Sequence, residues 1–484
     1  MPMTVPRKSY KYLHYNELYI QYVISGVAET AACAICSAAC KIVGLKVRIP
    51  QTFPGRDRWA LTASRKITVC LVLFAVSQFV SIFADRLKQL SLVGLVGLVN
   101  PGSSAELLKL MLFMHLPMLL FAPLFGALLD RWNRATVIAA VNFARAALIA
   151  VIPMTFAWMG TIYPVYSVVL FVSLADLLFS PARSSLIPQL ARPEKLLQVN
   201  AVFWGMAMAG TLGGFVLTGW LFDYRTWQDS FYVDAASYAA AGIVMLPVLW
   251  LLRSREREEP SSAHGRGAPR SRPTIVDSVR EVGSAIGDGV KLIRQNRTIA
   301  VCLIAQSGVF AFGGVIYVIG ISHIQEVFPP GKTIYLSAVT TSFLIGLLLG
   351  AWIASHFRNR TTSQRTIAVA TMLCGVAVVG MGRTDTVVPM SIWAAVIGLA
   401  ASPVFIFTET LIQKHSPDEF RGRVFAAREV MIKTAFLAAS AVATGLNTVV
   451  AKGPILAALG LFLALLGVLL ERMKWLDVQS SNEG

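Results

Sequence analysis

Charge is what this chain has least of. Asp, Glu, Lys and Arg make up 14% of its 484 residues, against about a quarter in soluble domains. That excludes a disordered chain, a coiled coil and an ordinary soluble enzyme. Cysteine is scarce as well. There are six, and Cys70, Cys302 and Cys374 stand singly in apolar segments, so no disulfide framework is expected. Cys33, Cys36 and Cys40 form C-x2-C-x3-C, but a zinc site wants a fourth ligand and only His14 is near enough in sequence to offer one. Embedded in Ala, Ile and Val, the three are read as small buried or lipid-facing residues, and no metal is expected. Catalytic signatures are missing too: there is no phosphate-binding loop, no GxSxG elbow and no H-E-x-x-H. No enzymatic activity and no cofactor are expected. Energy for any work must come from an ion gradient or from the substrate's own gradient.

What the chain has in abundance is long apolar runs, in keeping with its 55% hydrophobic content. A bilayer core of about 30 Å needs about 20 apolar residues in helix, because backbone polar groups find no partner in lipid. Such runs fall near 67–99, 106–129, 135–153, 161–182, 196–222, 229–252, 297–325, 333–357, 364–382, 386–412, 425–450 and 454–472. They predict an all-α integral membrane protein with twelve transmembrane helices. The net charge of +17 is distributed to match. Loops after even-numbered runs carry Arg131 and Arg134, then Arg183, Arg192 and Lys195, then Arg358, Arg360 and Arg365, then Lys414, Arg421, Arg423 and Arg428. Loops after odd-numbered runs carry Arg225, Lys332, Arg383 and Lys452, about one each. Basic loops stay in the cytoplasm, which puts both termini there, in a cytoplasmic (inner) membrane. The positive balance is then a topology signal and calls for no nucleic acid.

The organisation that follows is a cytoplasmic or interfacial extension over 1–66, a six-helix bundle over 67–252, a linker over 253–296, a second six-helix bundle over 297–473 and a cytoplasmic tail over 474–484. The linker opens as a Pro/Ser/Arg stretch. It continues with Ile275, Val279, Val282, Ile286, Val290 and Ile293 on one helical face. That amphipathic segment lies either on the inner membrane surface or against the underside of the bundle. Across the linker, an offset of 224 aligns Gln189 with Gln413, Pro193 with Pro417 and Glu194 with Asp418, at the same place after the fourth and tenth runs. This supports a duplicated six-span unit.

After the second run stand Gly126, Leu128, Asp130, Arg131 and Arg134. Their spacing resembles the G-x-L-x-D-R-x-G-R signature of the major facilitator superfamily of secondary transporters. Asn133 replaces the family's Gly, and Asn tolerates the left-handed turn better than most residues. The resemblance implies that Asp130, Arg131 and Arg134 latch the two halves on the cytoplasmic side, with Asp130 facing the start of the eleventh helix and pairing with a base such as Arg134 or Arg183. Ala209 to Gly214 resembles the G-P-x-L-G-G motif of the exporters, with Gly210 in place of Pro. Gly210, Gly213 and Gly214 are also what close helix packing requires. Phe179 to Arg183 with Ile187, Pro188 and Asn200, and Gln78 to Asp85, resemble the branch holding macrolide, siderophore and lysophospholipid transporters. The fold implied is the two-bundle major facilitator fold.

Ionisable residues within spans are costly and are functional candidates. Asp85, Arg86, Lys88, Arg145 and Asp176 are read as the substrate or proton-coupling set, with Asp85 and Asp176 as the acids that exchange a proton. Asp85 is compatible either with the cavity or with the outer mouth, and Arg145 either with pairing to an acid or with substrate contact. His115 is read as a structural residue, and Asp234 and Glu409 as helix-end residues. The function expected is proton-coupled export of an amphipathic or drug-like small molecule by a monomer, with the proton gradient and membrane lipids as its other partners. Movement of lysophospholipid across the membrane, and a transporter-like sensor or scaffold, are the alternatives.

Overall fold

The computed structural model describes residues 57–129, 132–190, 196–258, 297–329, 332–357, 363–416 and 421–472. These residues form twelve helices: α1 (Asp57–Val99), α2 (Ser104–Leu129), α3 (Arg134–Met159), α4 (Tyr163–Leu190), α5 (Leu196–Tyr224), α6 (Trp227–Glu258), α7 (Arg297–Val315, a π-helical turn Ile316–Gly320, then Ile321–Val327), α8 (Thr333–Phe357), α9 (Ser363–Met381), α10 (Val387–His415), α11 (Arg421–Leu446) and α12 (Lys452–Arg472). All but α9 are long and apolar enough to cross a bilayer, and α9 holds a shorter apolar stretch, Arg365–Met381. α1 begins at Asp57 rather than near 67. Its 43 residues reach about 65 Å at 1.5 Å per residue. The first turns, with Arg58, Arg65 and Lys66, therefore lie beyond the hydrocarbon at the basic end. The cysteine cluster, the amphipathic stretch 275–293 and the C-terminal tail lie outside the described residues.

Local chemistry sets the helix ends. Asn133 is extended, at φ −69° and ψ 122°, and its side chain accepts from the backbone N–H of Ala135 and Thr136. It caps α3, so the left-handed turn expected there does not form. Gly160, at φ 65°, closes α3 as a left-handed C-cap.

Helix pairing repeats across the chain. In the first half α1 packs on α5 and α6, α2 on α4, and α3 on α4 and α6; in the second, α7 packs on α11, α8 on α10, and α9 on α10 and α12. The halves meet through α5 against α8 and α2 against α11. Among the described residues, hydrogen bonds tie them together at the end away from the basic loops. Gln325 donates to the Val93 carbonyl (2.9 Å), the Thr333 N–H to Asp223 (2.9 Å), Ser337 to the Phe215 carbonyl (2.7 Å), Asn447 to Ser104 (3.0 Å) and Lys452 to the Gly102 carbonyl (2.7 Å). The large apolar core at that end, with Leu95, Leu107, Val318 and Ile324, draws on both halves. At the basic end the cores are separate. Phe74, Ile138, Leu186 and Met245 belong to the first half, and Ile299, Leu303, Ile412 and Val424 to the second. The described halves are thus closed together at one end, with separate cores at the other.

Candidate functional site

Ser77, Ser81, Asp85, Lys88 and Ser91 recur every three or four residues along α1, so they share one face. That face packs against α6, which contributes Asp234 and Tyr238 (four apart), and reaches α3, which contributes Asn142 and Arg145 (three apart), through Ser81 and Asn142. Ser77 donates to the Ala241 carbonyl at 2.8 Å and Ser81 to the Asn142 side-chain oxygen at 3.2 Å. Further along, the face becomes ionic. Lys88 Nζ lies 3.3 Å from Asp85 Oδ1 and 3.4 Å from Asp176 Oδ2. Arg145 pairs with Asp176 and stacks on the Phe179 ring, 4.1 Å from its centroid. The Tyr238 hydroxyl donates to Asp85 at 2.5 Å, and both cations also lie over its ring.

The network is graded in exposure. The side chains of Lys88 and Arg145 are 6% and 2% exposed, whereas those of Asp85 and Asp176 are 31% and 38% exposed. Two cations are therefore buried behind two carboxylates that remain accessible. Removing one member of such a buried pair typically costs about 3–5 kcal/mol, because the other charge is left uncompensated. The site is consequently suited to changes in which one partner is exchanged for another, such as a proton or a ligand charge.

Four of the five residues expected to act together are in direct contact: Asp85, Lys88, Arg145 and Asp176. Arg86 lies within electrostatic reach of Asp85 but pairs with none of them. Its guanidinium donates to Gln89 at 2.8 Å, and Cβ of Arg86 packs where α5 crosses α1. Asp234, expected at a helix end, is fully buried instead, and neither carboxylate oxygen has a hydrogen-bond partner. It lies about 10 Å along α6 from its first residue, far enough in for α1 and α3 to cover it. Counting depth from the nearest loop charge concealed this, and Tyr238 was not singled out at all. The spacing Asp234-x3-Tyr238 was the available signal, because it puts both on one face.

A second polar network lies in the other half. Arg428 pairs with Glu409 at 2.8 Å and donates to Gln306 at 2.7 Å, and Gln306 donates to Glu409 and Thr408. Glu409 is thus a bridging acid between α10, α11 and α7 rather than a simple helix end, and Arg428 is 8% exposed rather than a loop residue. His115 packs edge-on to Phe436 across the α2–α11 contact. Lys433, on α11, is within electrostatic reach of His115 and was not anticipated.

The remaining expected positions divide as follows. Asp130 and Arg131 lie outside the described residues. Gly126 is in α2 and Arg134 opens α3. Gly210 and Gly214 sit where α5 meets α1: a Cβ on Gly214 would lie 2.8 Å from the Phe83 carbonyl, and one on Gly210 3.2 Å from that of Phe79. Gly213 faces the Phe83 ring. Among the described residues no group of three His, Cys, Asp or Glu side chains could hold a metal.

Comparison with known proteins gives a concordant picture. The model of the Major Facilitator Superfamily matches residues 70–441. An uncharacterized MFS-type transporter of Bacillus subtilis, YfiS, is 23% identical over 371 residues, covering 74% of this chain and 82% of the relative. Macrolide efflux protein A of Enterococcus faecalis is 22% identical over 338 residues, covering 67% of this chain and 95% of the relative. Among solved structures, the nucleoside transporter NupG superposes with a TM-score of 0.59 at 14% identity, over 84% of this chain and 100% of that one.

Proposed function

The chain belongs to the Major Facilitator Superfamily and is a multi-pass membrane transporter rather than an enzyme, and from that premise we propose that it exports an amphipathic, drug-like small molecule in exchange for protons. The two six-helix halves rock about a site between them. The observation that carries this reading is the combination of a one-ended closure with an accessible ionic network. The halves are bonded together away from the basic loops, while the side chains of Asp85 and Asp176 stay only half-buried. With the basic loops in the cytoplasm, the closed end is the outer one and the network opens inward. This is the state in which an exporter loads its cargo. Kinship with macrolide efflux proteins supports the outward direction. The membrane is the cytoplasmic one, with both termini inside.

In this reading Asp85 and Asp176 meet the cargo or the proton, and Lys88 and Arg145 hold them in place. Tyr238 orients Asp85. The loop with Asp130, Arg131 and Arg134 holds the cytoplasmic ends together in the opposite state.

The test is transport by the purified full-length protein in liposomes under pH gradients of either sign, with macrolides and a lysophospholipid in the substrate panel. The expected result is cargo movement that reverses with the gradient and collapses with a protonophore. Lysophospholipid movement that ignores the gradient would replace drug export with lipid translocation. Orientation is checked separately with a cysteine at Ser262. It should react with an impermeant thiol reagent in inverted vesicles and not in intact cells, and labelling from outside would reverse the assignment.

A further inference from the structure

The acids and bases of the first half do not balance. Asp85, Asp176 and Asp234 are three carboxylates on α1, α4 and α6, and they share two fully buried cations, Lys88 and Arg145; Arg86 and Arg183 lie within electrostatic reach of Asp85 but pair with none of the three. Both cations are already engaged. Lys88 bridges Asp85 and Asp176, and Arg145 is bound to Asp176. Asp234 is the acid left over. It is fully buried, and its two oxygens accept no hydrogen bond. An unpaired ionised carboxylate in such surroundings is among the most costly groups a protein can bury. Carrying a hydrogen in place of the charge removes that cost and makes the five-member cluster neutral.

We propose that Asp234 is the proton-binding site of the transport cycle, and that the exposed pair Asp85 and Asp176 receives its proton. The inference rests on the proton-coupled reading above and assigns the coupling to a residue behind the exposed pair.

The neighbours of Asp234 fit this role. The groups facing it are Asp85 and Lys88 from α1, Arg145 from α3, Asp176 from α4 and Tyr238 one turn on along α6. α5 also packs on α6 but carries no ionisable side chain between Leu196 and Phe222. Tyr238 donates to Asp85, so the receiving carboxylate is held by a side chain of the same helix face as Asp234.

In the transfer one O–H bond breaks at Asp234 and one forms at Asp85, with no change of oxidation state. Asp85 then loses its charge and its hold on Lys88, and Asp234 gains a charge that Lys88, still bound to Asp176, is within electrostatic reach to share. Proton movement is thereby converted into a change of ion-pair partner between α1 and α6. The proton leaves through the exposed Asp85 surface, and Asp234 is reloaded when the closed end opens.

The experiment uses the purified full-length protein in liposomes and has two readouts. Infrared difference spectroscopy at neutral pH should show the carbonyl stretch of a protonated buried carboxyl in the wild type, lost in Asp234→Asn and displaced in Asp234→Glu. In transport, Asp234→Asn should retain exchange of labelled for unlabelled cargo but lose accumulation driven by a pH gradient, and its exchange should no longer vary with pH. Asp234→Glu should restore the pH dependence. It also serves as the test variant if Asp234→Asn does not assemble. An Asp234→Asn protein that accumulates cargo like the wild type, or that retains the carboxyl band, overturns the proposal. A wild type that shows no pH-driven transport at all refutes the coupling reading instead, and does so before any variant is made.

Discussion

The two halves share one pattern of helix pairing but fill their interiors differently. The first half is held together around charge, with Lys88, Arg145 and Asp234 buried among α1, α3, α4 and α6. In the second half, the α8–α10 and α9–α12 pairs are instead held together around missing side chains. A Cβ on Gly346, Gly350 or Gly398 would run into the backbone carbonyl of Ala395, Leu399 or Phe343, so α8 and α10 touch backbone to backbone. Gly375 and Gly460 do the same for α9 and α12. Between their ends, α8, α9 and α12 carry no Asp, Glu, Lys or Arg from 334 to 356, 366 to 380 and 453 to 470. Close backbone contact gives dense van der Waals packing with one good arrangement. An ionic network has several arrangements, since each charge can change partner. The difference sets the ionic cluster of the first half apart from the glycine-packed helix pairs α8–α10 and α9–α12 of the second.

The largest effect should come from unbalancing the ionic core. Arg145→Ala leaves Asp176 short of its buried partner and should cost about 3–5 kcal/mol of stability, read by thermal unfolding in detergent, with transport abolished. The double variant Arg145→Met with Asp176→Leu should recover much of that stability and none of the transport. Recovery of transport in the double variant would show that the network is structural only.

In the glycine-packed half the expected cost is steric. Gly398→Ala should destabilise by about 1–3 kcal/mol through overpacking, whereas Gly308→Ala, with nothing within 4 Å of its added Cβ, should stay within about 0.5 kcal/mol of wild type. Equal behaviour of the two would remove the contrast between the halves.

The seam between them comes next. Asp223→Ala takes away the carboxylate that accepts from the first residue of α8, a charged hydrogen bond worth about 1.5–3 kcal/mol. It should shift the protein toward opening at that end, seen as faster labelling of a cysteine introduced at Ser337. Unchanged labelling would mean that the apolar core alone holds the closure. The smallest effect is expected at Arg86. Arg86→Gln should cost about 1 kcal/mol or less and leave transport near normal, while Lys88→Gln, only two residues on but with different partners, should lose it.

Much of this was legible before any fold was known. Span number, the basic ends and the pairing candidates Arg145 and Asp176 follow from composition along single helices. That Arg86 turns to Gln89 while its neighbours pair with acids was not legible, because a charge in an apolar run shows its depth but not its azimuth relative to neighbouring helices. Asp234 was misjudged for the complementary reason. Its distance from a loop is short, but α1 and α3 close over it. Arg428 read as one more cytoplasmic base, and only the approach of α7 and α10 made it the centre of a network.

Hydrophobicity and helical periodicity are properties of consecutive residues, so the sequence by itself determined twelve apolar helices and the family signature between the second and third. Ion pairs and hydrogen bonds act over a few ångströms between residues that the chain separates widely: Lys88 meets Asp176 88 positions away, and Asp85 meets Tyr238 153 positions away. Which charges share a partner, which acid is left without one, and which end of the molecule is shut were therefore decided only when the helices packed.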